Sequence, residues 1–151
     1  MKPLFCAFIA VFLLAACDTS DPDPVILENP ELRFVPDSSY TVLPSGLKYF
    51  DFVIGDTLRA RADEGDPVLL DYHGWLENGT LFDSSVLSQP VQFILGDGNI
   101  IDGWNEGIPG MFLGGERQLV IPPELAYGEE GNGPVPGNTT IIFEVFLLGT
   151  Q

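Results

Sequence analysis

Short runs of apolar and aromatic residues recur along residues 41–151, separated by turns rich in glycine, proline, asparagine and aspartate. Runs of this length and composition are typical of β-strands. They predict strands over residues 47–54, 68–76, 91–95, 115–121 and 139–148, and a shorter return strand that runs through Phe82. Asn78-Gly79 precedes the return strand and predicts a two-residue hairpin turn, in which both central residues adopt a positive φ.

A single short helix is predicted over residues 102–107, within this strand-rich region. Asp102 is a suitable N-cap, because an aspartate side chain can accept a hydrogen bond from a free N–H of the first turn. Pro109-Gly110 ends the helix. The expected fold is α+β, a twisted antiparallel β-sheet wrapped around one short α-helix, and residues 41–151 are long enough for one hydrophobic core.

The first residues predict an export signal. Lys2 is followed by an unbroken apolar run over residues 5–16, which is shorter than the roughly 20 residues of a membrane-spanning helix. The sequence LAAC at 14–17 resembles a bacterial lipobox, which predicts a signal peptide over residues 1–16 and a diacylglycerol on Cys17. An ordinary secretory signal is the alternative. The lipobox predicts a protein of the cell envelope, lipid-anchored to a bacterial membrane and facing the periplasm or the exterior.

Residues 17–40 are predicted to form the lipidated cysteine and an acidic, proline-rich tether. The part from 18 to 24 has no apolar period, so it cannot bury enough surface to order itself, and its prolines favour an extended spacer. Two short apolar runs, at 25–27 and 32–35, leave open whether part of this region adds an edge strand to the sheet.

The chain is strongly acidic, with a formal net charge of −16, and loss of Lys2 with the signal peptide makes it one unit more negative. This charge disfavours binding to nucleic acid. Solubility is the favoured explanation of the charge, and a preference for basic clients is the alternative. Cys6 falls in the signal peptide and Cys17 at the acylation site, so no intramolecular disulfide is expected.

Four segments carry the strongest functional signal. They are DYHGWLENGTLFDSS at 71–85, FILGDGNIIDGWNEG at 93–107, MFLGGERQLVIP at 111–122 and LAYGEEGNGPVPGNTTIIFEV at 125–145. In this order and spacing they resemble the FKBP-type peptidyl-prolyl cis-trans isomerases, over nearly all of residues 43–148. The resemblance implies the fold expected above and an isomerase that needs no cofactor.

The resemblance also implies a site of aromatic walls, polar rim groups and aliphatic cover. The catalytic positions are Tyr72, Phe82, Asp83, Ile101, Trp104, Tyr127 and Phe143. The substrate-binding positions are Ile100, Val135 and Val91.

Each type of group has an implied role. Trp104 is the floor beneath the proline ring, and the walls are Tyr72, Phe82 and Phe143. Asp83 lies near the carbonyl that twists, Ile101 offers its N–H to a bound carbonyl, and Tyr127 donates its hydroxyl. Val135 matches a loop residue that covers the ligand.

The chemistry of rotation about an X-Pro bond fits these residue types. The barrier is about 18–20 kcal/mol because the amide has partial double-bond character. A dry aromatic cup removes water from the amide, and a few hydrogen-bond donors favour the twisted amide over the planar one. No metal is expected, because one histidine and no free cysteine in the mature chain cannot supply a His/Cys site. That histidine, His73, is predicted to face solvent or a neighbouring residue.

The expected partners are proline-containing segments of exported proteins, with macrolide inhibitors as further ligands, and the expected state is a monomer. Four features depart from the family. Asn132 and Gly133 stand where some relatives have a bulkier side chain. Val91 stands where many relatives carry an aromatic residue, Asp71 replaces a residue that is often histidine, and residues 86–89 lack an arginine that restrains the rim carboxylate in some relatives. The alternatives are a non-enzymatic chaperone or adaptor that uses the same pocket, and a structural lipoprotein with a relict pocket.

Overall fold

The computed structural model of the chain describes residues 30–86 and 88–151. Their strands are β1 (Thr41–Val42), β2 (Lys48–Val53), β3 (Pro67–Leu76), β4 (Leu81–Ser84), β5 (Val91–Ile94), β6 (Glu116–Ile121) and β7 (Ile141–Thr150). They form one antiparallel sheet in the order β1-β2-β6-β7-β3-β4, and β5 also pairs with β3. The fold is the expected α+β arrangement, and each predicted strand end lies within two residues of its observed position.

One α-helix, α1 (Asp102–Gly107), covers the inner face of the sheet, and two short 3-10 helices lie at Asp37–Ser39 and Pro123–Leu125. None of the helices among the described residues is long and apolar enough to cross a membrane. The predicted signal peptide, residues 1–16, and the predicted acylation site, Cys17, lie outside the described residues.

Alternation along the strands builds the core between α1 and the sheet, because successive side chains of a strand point to opposite faces. The core includes Val68 and Leu70 of β3, Leu119 and Ile121 of β6, and Val145 of β7, all at most 1% exposed. β3 and β7 pair along nearly their whole length and form the centre of the sheet. The predicted site residues Tyr72 and Phe143 therefore lie on the two long paired strands at the centre of the sheet.

Two glycines let α1 lie close to the sheet. Gly103 and Gly107 are one helical turn apart, so they share a face of the helix. A Cβ at Gly103 would lie 2.4 Å from Cγ2 of Ile121, and a Cβ at Gly107 would lie 2.7 Å from Cδ2 of Leu119. Larger residues at either position would therefore push α1 away from β6.

The start of α1 differs from the prediction in one detail. Ile101 is the N-cap residue, with extended backbone angles, and Asp102 is already the first helical residue. No side chain caps this end. The Asp102 carboxylate still lies in the first turn, where the positive end of the helix dipole favours a negative charge.

The predicted two-residue turn between β3 and β4 is wrong. The loop has three residues, because the Leu76 N–H donates to the Thr80 carbonyl at 2.9 Å and the Gly79 N–H donates to the Leu76 carbonyl at 2.9 Å. Gly79 has φ 83°, whereas Asn78 is not among the described residues with positive φ. Asn78 instead accepts the Thr80 N–H on its side-chain oxygen, at 3.0 Å. A type I turn followed by a bulged glycine has this pattern, and a separate register shift lies between Gly74 and Trp75 of β3.

Residues 30–40, named here the N-terminal strap, cross the outer face of the sheet. The Pro30 carbonyl accepts the Trp75 indole N–H at 3.3 Å, and the Arg33 carbonyl accepts a Gln118 amide N–H at 3.0 Å. The Tyr40 hydroxyl donates to the Gln118 side-chain oxygen. The strap belongs to the folded unit, whereas the sequence prediction began that unit at residue 41.

Arg33 is the main polar anchor of the strap. Its guanidinium donates from Nε and Nη2 to one oxygen of Glu144, at 3.0 and 2.7 Å, and it also pairs with Glu116. Its Cζ lies 3.6 Å above the centre of the Phe52 ring. Because Glu144 is only 3% exposed, the guanidinium is a counter-charge that water cannot readily replace.

We expect Arg33→Ala to lower the free energy of unfolding by about 1–2 kcal/mol, because it leaves the Glu144 carboxylate buried without its cation. Arg59→Ala is the matched control, since Arg59 pairs with Asp56 at the surface. It should change the free energy of unfolding by less than about 0.5 kcal/mol. Urea denaturation monitored by tryptophan fluorescence measures both. Equal losses in the two variants would contradict this account of the strap.

Candidate active site

A cavity of about 280 Å³ opens between α1, the central strands and two loops. Aromatic side chains form its base, and polar groups surround its mouth. The lining residues are Tyr72, Asp83, Asn99, Ile100, Ile101, Trp104, Tyr127, Asn132 and Phe143. An apolar base with a few convergent polar groups is typical of a ligand-binding site.

The base of the cavity is a group of interlocked aromatic rings. Trp104 of α1 has its ring centre 5.1 Å from Tyr72 of β3 and 5.1 Å from Phe143 of β7, in edge-to-face arrangements. Phe93 of β5 stacks on Trp104, with ring centres 5.5 Å apart and planes 29° apart. Such contacts favour fixed ring orientations. The cavity therefore has a preformed base.

Gly74 provides the space in which two of these rings meet. It follows Tyr72 by two residues on the inner face of β3, and a Cβ there would lie 2.6 Å from Cε1 of Phe143 and 2.9 Å from Cζ of Phe82. The Phe82 and Phe143 ring centres are 5.6 Å apart. A glycine at this position therefore allows the two phenylalanine rings to lie against the β3 backbone.

A hydrogen-bonded pair occupies one side of the mouth. The Tyr72 hydroxyl donates to Oδ2 of Asp83 at 2.7 Å, and the Ser84 N–H donates to Oδ1 at 2.9 Å. Burial, and then the bond to Asp83, raises the pKa of the Tyr72 hydroxyl well above its usual range. Burial, and then the charge of Asp83, also raises the pKa of Tyr127. Both hydroxyls therefore stay protonated at neutral pH and remain hydrogen-bond donors.

The loop before α1 forms the opposite side. Ile101 is the helix N-cap, and the first N–H groups of a helix have no partner within it. Asn99 stabilises this loop, because its backbone N–H and side-chain amide both donate to the Asp97 carboxylate, at 2.9 and 2.8 Å. These bonds lower the pKa of Asp97. The loop thus holds Ile100 and Ile101 at the cavity.

The loop after Tyr127 covers the mouth of the cavity, and hydrogen bonds within its own backbone close the loop. Asn132 and Val135 exchange two backbone hydrogen bonds, each of 2.9 Å. A Cβ at Gly137 would lie 1.9 Å from the Glu129 carbonyl oxygen, so this crossing requires glycine. A second cavity, of about 240 Å³, lies beneath the loop. It is lined by Phe82, Asp83, Tyr127, Asn132, Pro134 and Val135.

Residues 59–148 match the family model of the FKBP-type peptidyl-prolyl cis-trans isomerases. The chain belongs to this family. The match runs from before β3 into β7, and it therefore includes α1 and the lining of both cavities.

Relatives and a solved structure agree with this assignment. The chain is 45% identical over 112 residues to FK506-binding protein 4 of Rhizopus delemar, which is 74% of this chain and 29% of that protein. It is 51% identical over 89 residues to an FK506-binding protein of Neisseria meningitidis serogroup B, which is 58% of this chain and 82% of that protein. The crystal structure of AtFKBP13 superimposes with a TM-score of 0.68 at 38% identity, covering 74% of this chain and 98% of that one. The chain spans less than a third of the Rhizopus relative.

The FKBP-type fold brings most of the predicted site residues together. The first cavity is lined by Tyr72, Asp83, Ile100, Ile101, Trp104, Tyr127 and Phe143. Phe82 and Val135 line the second cavity, which shares Asp83, Tyr127 and Asn132 with the first.

Val91 lines neither of these cavities. It is half-buried on β5, opposite Leu70, and packs against the core. Phe93, two residues later on the same face, contacts Trp104 instead. The alternation of residues 91–95 placed both side chains on one face, so Phe93 could have been predicted from that signal.

His73 lies on the outer face of β3. It is 4% exposed, and its Nδ1 lies 2.9 Å from the Ser84 hydroxyl oxygen. Burial lowers its pKa. As the sequence analysis predicted, His73 contacts a neighbouring residue, Ser84, and it does not line either cavity. No group of three or more potential metal ligands occurs among residues 30–86 and 88–151.

We expect Gly74→Ala to lower the free energy of unfolding by about 1–3 kcal/mol, because the added methyl group displaces the Phe82 and Phe143 rings. Gly149→Ala is the matched control on the same sheet, since a Cβ there would meet its nearest atom, Cβ of Leu69, at 3.4 Å. Urea denaturation compares the two variants. A Gly74→Ala protein as stable as Gly149→Ala would show that the rings have more freedom than described.

Proposed function

We propose that this chain is a peptidyl-prolyl cis-trans isomerase, which accelerates rotation about X-Pro bonds without a covalent intermediate. The observation that carries the proposal is the combination, in one cavity, of an aromatic base with protonated hydroxyls and a carboxylate at the mouth. Membership of the FKBP-type family supports it.

The aromatic base favours the reaction by excluding water from the amide. A planar amide is more polar than a twisted one, because resonance places negative charge on its oxygen and positive charge on its nitrogen. Transfer of the proline ring onto Trp104, between Tyr72 and Phe143, removes hydration that stabilises the planar form. The barrier of about 18–20 kcal/mol then falls, because the twisted amide loses less hydration free energy than the planar amide does.

The polar groups act on the atoms that change during rotation. The Tyr127 hydroxyl and the Ile101 N–H are donors for carbonyl groups of the bound peptide. The Asp83 carboxylate, oriented by Tyr72, lies where it can interact with the twisting amide. Fixed groups of this kind stabilise a transition state without having to reorganise.

The clients we propose are proline-containing polypeptide segments, and macrolides of the FK506 type are further ligands of the same cavity. Two relatives are named for FK506 binding, which supports the second class. Slow X-Pro isomerisation, over tens of seconds or more, limits the folding of many chains. An isomerase that binds such segments would remove this delay.

We expect Tyr127→Phe to lower kcat/KM by about fivefold to tenfold, because it removes one hydrogen-bond donor from the cavity. Tyr40→Phe is the matched control, since the Tyr40 hydroxyl binds Gln118 on the outer face. A protease-free assay of cis-to-trans relaxation in a Leu-Pro-Phe peptide measures both. In the same assay Asp83→Ala and Trp104→Ala should also lower kcat/KM, and FK506 should compete with the peptide. Peptide binding by a folded wild-type chain without acceleration would favour the non-enzymatic chaperone.

We further propose that the protein is a monomeric, lipid-anchored protein of a bacterial cell envelope. The lipobox-like sequence at 14–17 and the apolar run before it support the anchor. In this arrangement residues 18–29 connect the lipid on Cys17 to the strap. The anchor would concentrate the isomerase near newly exported chains.

We expect mass spectrometry of the membrane fraction to find a mature chain that begins at Cys17 and carries a diacylglycerol. Cys17→Ser removes the sulfur that is acylated, so that variant should lack the lipid and leave the membrane fraction. Cys6→Ser is the control, because Cys6 precedes the cleavage site. A wild-type chain without lipid would contradict the anchor and favour the ordinary secretory signal.

A further inference from the structure

Asp83 has an exposed position for a residue at the centre of the proposed chemistry. It lies on β4, an edge strand that pairs with β3 alone among the described strands. Beyond Ser84 the chain leaves the sheet. The place of the carboxylate therefore depends on how residues 83–85 are attached to β3.

Ser85 attaches this segment to β3 through both its backbone and its side chain. Its N–H donates to the Tyr72 carbonyl at 3.1 Å, and its hydroxyl oxygen accepts the Tyr72 N–H at 2.9 Å. The Ser85 carbonyl is engaged by Ser88, whose N–H and hydroxyl donate to it at 2.7 and 3.0 Å. The serine side chain thus takes the place of a backbone carbonyl where the chain turns away. Ser85 is 3% exposed, so water does not readily replace these bonds.

Asp71 fixes the orientation of that hydroxyl. The Ser85 hydroxyl donates to Oδ1 of Asp71 at 2.8 Å. A hydroxyl has one proton, so donation to the carboxylate turns an oxygen lone pair toward the Tyr72 N–H. Hydrogen bonds to a carboxylate are stronger than those between neutral groups. We name the Asp71 carboxylate and the Ser85 hydroxyl the Asp71–Ser85 clamp.

We propose that Asp71 and Ser85 are positioning residues, which hold the Asp83 carboxylate and the Tyr72 hydroxyl at the spacing that isomerisation requires. Neither residue lines either cavity, so each acts through Asp83 and Tyr72. Residues 83–91 contain no lysine or arginine that could restrain the carboxylate by charge. This inference rests on the proposed isomerase activity.

The first test compares two hydrogen-bonded serines in the full-length chain, purified in detergent. Ser85→Ala removes the clamp and should lower kcat/KM about fivefold. Ser45→Ala removes a bond of similar length to Glu106 at the surface, far from Asp83 in the sequence, and should leave kcat/KM within about twofold. Asp71→Ala should resemble Ser85→Ala, whereas Asp71→Asn keeps an oxygen acceptor and should restore most of the rate. The two Asp71 variants also test the clamp if Ser85→Ala does not fold.

A double-mutant cycle separates positioning from general destabilisation. If Ser85 acts through Asp83, Ser85→Ala should have little further effect on kcat/KM in an Asp83→Ala background. An equal loss in both backgrounds would overturn the proposal, because it would show that the two residues contribute independently.

A second readout does not require turnover. In protein labelled with ¹³C at aspartate carboxyl groups, Ser85→Ala and Asp71→Ala should shift the Asp83 resonance, and Ser45→Ala should leave it in place. An unshifted Asp83 resonance in the first two variants would overturn the clamp. If Ser85→Ala and Asp71→Ala shift the Asp83 resonance but the wild-type protein does not accelerate the peptide, the isomerase is refuted and the clamp is retained.

Discussion

The close packing of α1 on β6 is the constraint on which the cavity depends. Gly103 and Gly107 present no side chain to the sheet, so the helix backbone reaches the β6 side chains directly. Trp104 lies between them in sequence and contacts Tyr72 and Phe143 at ring distances of 5.1 Å each. A thicker helix face would lift the indole from those rings and admit water to the base of the cup. The proposed chemistry thus depends on glycines that do not line the cavity.

The alternation of β3 joins the site to the rest of the molecule. Tyr72 and Gly74 face the cavity, whereas Asp71, His73 and Trp75 belong to the other face, where the strap and the clamp lie. A register slip of one residue would exchange the two sets, since side chains alternate with a period of two. The pairing of β3 with β7 along nearly its whole length makes such a slip costly. One strand therefore fixes the aromatic base, the rim carboxylate and the strap together.

Local patterns, namely alternation and turn residues, predicted the strands, whereas the cavity residues were implied by the resemblance of four segments to the isomerase family. The sequence did not predict the strap, because Arg33 finds Glu144 at a separation of 111 residues and no local pattern reports such a pair. Both two-residue and three-residue hairpin loops can contain Asn78-Gly79, and only the hydrogen bonds of the structure distinguish between them. Asn99 was missed because an exposed loop asparagine has no pattern that distinguishes a cavity-lining position.

The exposure of Asp83 explains why its attachment to the sheet matters for the proposed chemistry. Water weakens the field of an exposed carboxylate, so its effect on a bound amide falls steeply with distance. A flexible carboxylate would average over many distances and lose most of that effect. The Tyr72 hydroxyl and the Ser84 N–H restrict the carboxylate directly, and the buried hydroxyl of Ser85 restricts the backbone that carries it. Among the described residues neither cavity is lined by a lysine or an arginine, and hydrogen bonds to a central strand provide the order that charge pairing would otherwise supply.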